Sequence, residues 1–117
     1  MKDNVVQQKS YAFALRIIKK YMAIRDQGEY VLSKQLLRSG TSIGANIEEA
    51  LAGQSRKDFV AKMSIASKEA REANYWLRLI QDSEICPSID LAGLTDESNE
   101  LIKILTAIVK TGQKSNF

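Results

Sequence analysis

The sequence predicts an all-α protein, an antiparallel up-down-up-down four-helix bundle, on three observations. Apolar residues recur every three or four positions in four separate segments. No segment shows strand-like alternation. Breakers fall between segments, at Gln27-Gly28 after the first and at Ser83 to Ala92, with the only proline, Pro87, after the third. With 117 residues, 44 % apolar and 26 % charged, the chain has an ordinary globular balance and the size of one domain, residues 1–117.

The first helix is expected over about 3–26. Val6, Ser10, Ala14, Ile17, Tyr21 and Ile24 share one face, and Gly28 ends it. The second is expected over 29–52, with Leu32, Leu36, Ser39, Ile43, Ile47 and Ala50 as its stripe. Gly40-Thr41-Ser42 inside it reads locally as a turn. One continuous helix is still expected, because the stripe keeps its phase across the break. The third is expected over 56–83. Ser55 is its N-cap, Asp58 completes a weak capping box, and Phe59, Met63, Ala66, Ala70, Ala73, Leu77 and Ile80 form an unbroken heptad seam. The fourth is expected over 96–111, with Thr95 as N-cap, Leu101, Leu105 and Ile108 inward, and Gly112 closing it.

Composition bounds the chemistry. The chain has no histidine, one cysteine (Cys86), and no phosphate-binding glycine loop or nucleophile elbow. The expectation is therefore a protein that is not an enzyme, with no catalytic residues, no cofactor and no metal. No apolar run is long enough to span a membrane, the first residues lack a secretion signal, and a lone cysteine fits a reducing compartment, so a cytoplasmic protein without a membrane partner is expected.

Two features of the first helix are candidate binding surfaces. It holds six Lys or Arg, and Lys2, Lys9, Arg16 and Lys20 fall within roughly 20° of one line at about 100° per residue, with Phe13 beside them. A basic row with an aromatic can track an RNA or DNA backbone; the same row also reads as a solvated face. Tyr11, Leu15, Ile18 and Met22 form a second apolar patch, wider than one bundle seam needs, and are the expected oligomer interface. Gly40 and Gly44 form a small-residue notch for close helix packing. Gln35, Ser39, Asn46 and Glu69 are the expected polar core, lying on or beside the inward faces.

The stretches QLLRSGTSIGANIEEA (Gln35 to Ala50) and SRKDFVAKMSIASKEAREANYWLRLI (Ser55 to Ile80) closely resemble the bacterial four helix bundle protein family, whose members are often encoded in intervening sequences of large-subunit ribosomal RNA genes. Leu36, Arg38, Ser39, Ser42, Gly44, Asn46, Glu48, Phe59, Glu69, Glu72, Tyr75, Trp76 and Leu77 carry the likeness. It implies a four-helix bundle and a ring-like homopentamer. A related branch, the accessory variability determinant of diversity-generating retroelements, resembles a basic pentamer that binds nucleic acid and a reverse transcriptase. Five copies of a +3 chain would carry about +15. The expected function is thus a homo-oligomeric binding or scaffold protein with weak RNA or DNA affinity through its basic surface; the alternative is a protein-binding adaptor or structural protein with no nucleic-acid role.

Overall fold

The computed structural model describes residues 2–114, with side chains described over 5–114. Four helices follow one another: α1 (Lys2–Asp26), α2 (Leu32–Leu51), α3 (Arg56–Ser83) and α4 (Ala92–Lys114). Each packs on its neighbours in the chain, and α1 closes the circuit lightly against α4, leaving α1 and α3 on a diagonal. Cross-helix partners fix the directions. Gln7 meets Glu48, and a Cβ on Gly40 would meet Ile17. Arg38 meets Glu69 while Lys62 meets Glu49. In each pairing one number rises as the other falls, so neighbours are antiparallel, as an up-down-up-down bundle requires. The body measures 49 × 22 × 20 Å.

In α1 the buried positions are Val6, Ser10, Phe13, Ile17 and Ile24, while Ala14 and Tyr21 are only half-buried. The seam centre thus sits one residue from the expected line. Burying a phenyl ring removes far more apolar area from water than burying a methyl, so the helix turns Phe13 inward. Gly28, at φ 95°, gives α1 the left-handed residue that ends it.

Helix α2 begins at Leu32 rather than at Glu29, because Glu29 caps it from outside. Its carboxylate accepts hydrogen bonds from the backbone N–H groups of Val31 (3.1 Å), Leu32 (3.0 Å) and Ser33 (2.7 Å), which have no partner within the helix. The helix then runs unbroken through Gly40-Thr41-Ser42. The hydroxyls of Ser39, Thr41 and Ser42 donate back to the carbonyls of Gln35, Leu37 and Arg38 at 2.7–2.9 Å, so they decorate the helix instead of diverting it into a turn.

Helix α3 starts as expected: Ser55 Oγ accepts from the Asp58 N–H at 3.0 Å. Met63, Ala66, Ala70, Ala73, Leu77 and Ile80 are buried along its seam, with Phe59 half-buried at the end. Glu84, at φ 56°, terminates it. The connection to α4 packs inward, burying Cys86, Ile89 and Leu91. Gln81 Oε1 holds the Leu91 N–H at 2.8 Å.

Helix α4 starts four residues before the expected Asp96. Asp90 Oδ1 accepts from the Ala92 N–H at 3.0 Å, and Thr95 lies inside the first turn with its hydroxyl on the Leu91 carbonyl. Gly112 does not close α4, which continues to Lys114. Gly112 is a packing point instead: a Cβ there would stand 2.6 Å from Val60 Cγ2 of α3.

Candidate nucleic-acid and self-association surfaces on the first helix

Helix α1 buries one face and leaves two others with different chemistry. Tyr11, Leu15, Ile18 and Met22 are 64 %, 48 %, 39 % and 47 % exposed. They recur at helical spacing and form one apolar row along the outside of α1. Beside the row, between α1 and α2, runs a groove of about 570 Å³ with small residues Ser10, Ala14 and Gly44 among those lining it. A Cβ on Gly44 would lie 3.3 Å from Ser10 Oγ, so the two helices meet closely at this groove. Glu48, which accepts from Gln7 Nε2 at 2.7 Å, lines the same groove.

The basic row lies on the side of α1 next to α4. Lys9 Nζ is 3.2 Å from Glu100 Oε1. Arg16 is bidentate on Glu97, with Nε donating to Oε2 at 2.9 Å and Nη2 bound to Oε1. Lys20 is half-buried and lines a groove of about 300 Å³ with Arg16, Lys19, Asp90 and Glu97. Lys2 lies outside the residues whose side chains are described. Phe13 corrects the expectation for this row. It is fully buried, so its ring faces the core and offers no base a surface to stack on.

Of the expected polar core, Ser39 and Glu69 are buried and Asn46 is half-buried, its Nδ2 donating to the Ser42 carbonyl at 2.9 Å. Gln35 is exposed, a second correction. It precedes inward-facing Leu36 by about 100° of turn, and solvating the amide is cheaper than enclosing it. Arg38 spans α2 to α3, pairing with Glu69 at 3.4 Å and with Glu72, which also accepts from Trp76 Nε1 at 3.3 Å. The pair was not legible as a polar network without knowing that α2 and α3 are neighbours. A further network lay outside the sequence reading. Buried Asn74 donates through Nδ2 to Ser98 Oγ (2.8 Å) and Asn99 Oδ1 (3.2 Å), and its Oδ1 accepts from Arg78 Nε (2.8 Å). The available signal was an amide at the flank of the α3 seam.

Among the described residues no three His, Cys, Asp or Glu side chains are grouped to hold a metal ion. Burial, aided by the negative charge of Glu29, pushes the Cys86 thiol up, away from the thiolate form. No helix among the described residues is long and apolar enough to cross a membrane.

A family profile described as 23S rRNA-intervening sequence protein matches residues 2–107. The chain belongs to the 23S rRNA-intervening sequence protein family. Its fold is similar to a crystal structure from Bacteroides thetaiotaomicron VPI-5482, described as a protein of unknown function from the S23 ribosomal protein family. The two are 50 % identical, the match covers 94 % of this chain and 99 % of that one, and the TM-score is 0.87. A search of curated proteins found no match. Neither likeness names an enzymatic activity. Within this member of the 23S rRNA-intervening sequence protein family, the motif from Gln35 to Ala50 acquires a structural sense. Its unusual helix residues Ser39, Gly40, Ser42 and Gly44 lie where α2 is crowded by α1 or where hydroxyls bond back on the helix.

Proposed function

We propose that the protein is a non-catalytic, self-associating helical bundle that acts as a binding or scaffold protein, with nucleic acid as its ligand. The observation that carries the reading is the exposed surface of α1, which carries an apolar row, Tyr11, Leu15, Ile18 and Met22, on its flank toward α2 and a basic row, Lys9, Arg16 and Lys20, on its flank toward α4. The apolar row is the self-association surface. Ile65, Tyr75 and Leu79 are exposed on α3, diagonal to α1 in the bundle. Two different patches on one chain suit head-to-tail contact, which builds a ring when the rotation between copies closes. The resemblance of the Gln35–Ala50 motif supports five copies as the size of that ring. Assembly multiplies the charge excess and makes a weak basic row effective on a polyanion.

The test combines light scattering at micromolar concentration with titration of labelled single-stranded RNA at rising salt. An oligomer whose affinity falls steeply with salt is the expected result. A monomer, or binding indifferent to salt, overturns the corresponding half of the reading. One observation favours a second reading, a protein-binding adaptor: Lys9 and Arg16 are already paired with Glu100 and Glu97. A partner that stays bound after nuclease treatment, with no RNA or DNA binding at low salt, would select it.

A further inference from the structure

The pairing of α1 with α4 is of a particular kind. Glu97 and Glu100 are three residues apart, so one turn of α4 presents both carboxylates on one side. Each meets one cation of α1: Glu100 meets Lys9 at 3.2 Å, and Glu97 takes the Arg16 fork. A carboxylate on a guanidinium fork has the geometry that a phosphate adopts there. All four side chains are substantially solvent-accessible, at 42 % and 55 % for the Lys9 pair and 50 % and 31 % for the Arg16 pair. Exposed ion pairs are weak and exchange partners readily. The α1–α4 seam is also the most lightly packed of the four, with a cavity of about 90 Å³ beneath the pairs, lined in part by Phe13 and Leu101. Glu97 continues into the next groove beside Lys19 and Lys20.

We propose that Glu97 and Glu100 stand in phosphate positions on α1 and mask its basic row, so that a nucleic-acid backbone binds by displacing them. This rests on the nucleic-acid reading above and adds an intramolecular brake to it. The carboxylates compete with phosphate for Lys9 and Arg16. Wild-type affinity is therefore lower than the cation count of α1 implies, and removing the carboxylate charge raises it.

The experiment measures binding of the full chain to a fluorescein-labelled 20-nucleotide poly-uridine by anisotropy at about 0.1 M salt. Each phosphate contact regained is worth about fivefold there, from a slope of about 0.7 per contact on single strands. Glu97→Gln with Glu100→Gln is expected to bind at least about fivefold more tightly than wild type, with a steeper salt dependence. Glu100→Gln alone leaves the Arg16 pair in place and is expected to give a smaller gain. Adding Arg16→Gln to the double variant is expected to remove most of the gain. Asp82→Asn with Glu84→Gln makes the same change in net charge at the end of α3, on carboxylates outside the ion pairs described above, and is expected to gain little. Circular dichroism melts verify that each variant is folded. An equal gain in the α3 control reduces the effect to net charge and overturns the proposal. Wild-type binding with no gain in the double variant overturns the masking alone. Binding by the double variant with a silent wild type supports it. Silence in both overturns the masking and the nucleic-acid reading together.

Discussion

A Cβ on Gly40 of α2 would stand 2.9 Å from both Cγ1 and Cγ2 of Ile17 on α1, closer than side-chain carbons approach in proteins. The two helices meet at this point because one side chain is missing. Gly40→Ala should destabilise the bundle by about 1–3 kcal/mol in urea unfolding, and Gly40→Leu should cost more. Ile17→Ala alone should cost about 2–5 kcal/mol by opening a cavity. The double variant Gly40→Ala, Ile17→Ala should cost clearly less than the two single costs combined, since it removes the clash. Strict additivity would mean that the glycine is not a packing contact.

The apolar row on α1 should separate assembly from folding. Leu15→Glu with Ile18→Glu places two carboxylates on exposed positions outside the buried core, so the melting midpoint of the protomer should change little. Light scattering should show the particle mass falling toward that of one chain. An unchanged mass would assign assembly to another face.

The cap at Glu29 predicts the shape of the acid limb of stability. Burial of this carboxylate opposes its ionisation, but hydrogen bonds from the backbone N–H groups of Leu32, Ser33 and Val31, and from the Ser33 side chain, outweigh it and hold the pKa below the ordinary 4.5. The unfolded chain therefore binds this proton more readily than the folded one. The cap's contribution is complete above about pH 4.5 and is lost as pH falls through the lower folded value. Glu29→Gln should be less stable than wild type at pH 7, with the gap narrowing through this window in urea titrations. A gap of constant size down to pH 3 would show that the charge is not what caps α2.

Asn74 is the polar residue whose loss should matter most inside the α3–α4 contact. Asn74→Ala should cost about 1–3 kcal/mol, because it strips a hydrogen-bond partner from Ser98 and from Arg78. Adding Ser98→Ala to Asn74→Leu should recover part of the loss, because no buried Ser98 hydroxyl is then left without the Asn74 amide, while exposed Arg78 is met by water. If Asn74→Ala melts like the parent, solvent must satisfy those partners.

The helices and their inward faces were legible in the sequence because amphipathic spacing is a local property. Ser55 with Asp58, and the in-phase stripe across Gly40 and Gly44, located α3 and the continuity of α2 from neighbours a few residues away. The starts of α2 and α4 were not legible. Glu29 and Asp90 cap from outside their helices, while Thr95 looks like a cap and is a first-turn residue. Phe13 and Gln35 were misplaced by one position each, about 100° of rotation, which a period cannot resolve but side-chain size and polarity can. The state of the basic row depends on residues 91 and 81 positions away, Glu100 for Lys9 and Glu97 for Arg16. No local pattern reports such a partner. The apolar row was easier to find, since its surplus width is a property of α1 alone.

The inward packing of Cys86, Ile89 and Leu91 makes the α3–α4 connection different in kind from the α2–α3 turn, whose residues Ala52, Gly53, Gln54 and Ser55 are all exposed. One is a stopper in the end of the bundle, and the other is only a hinge pin between two helices. Peptide tags, split points and new termini for a permuted chain therefore belong around Gly53 and Gln54. The same cargo placed between Cys86 and Leu91 would uncork the core.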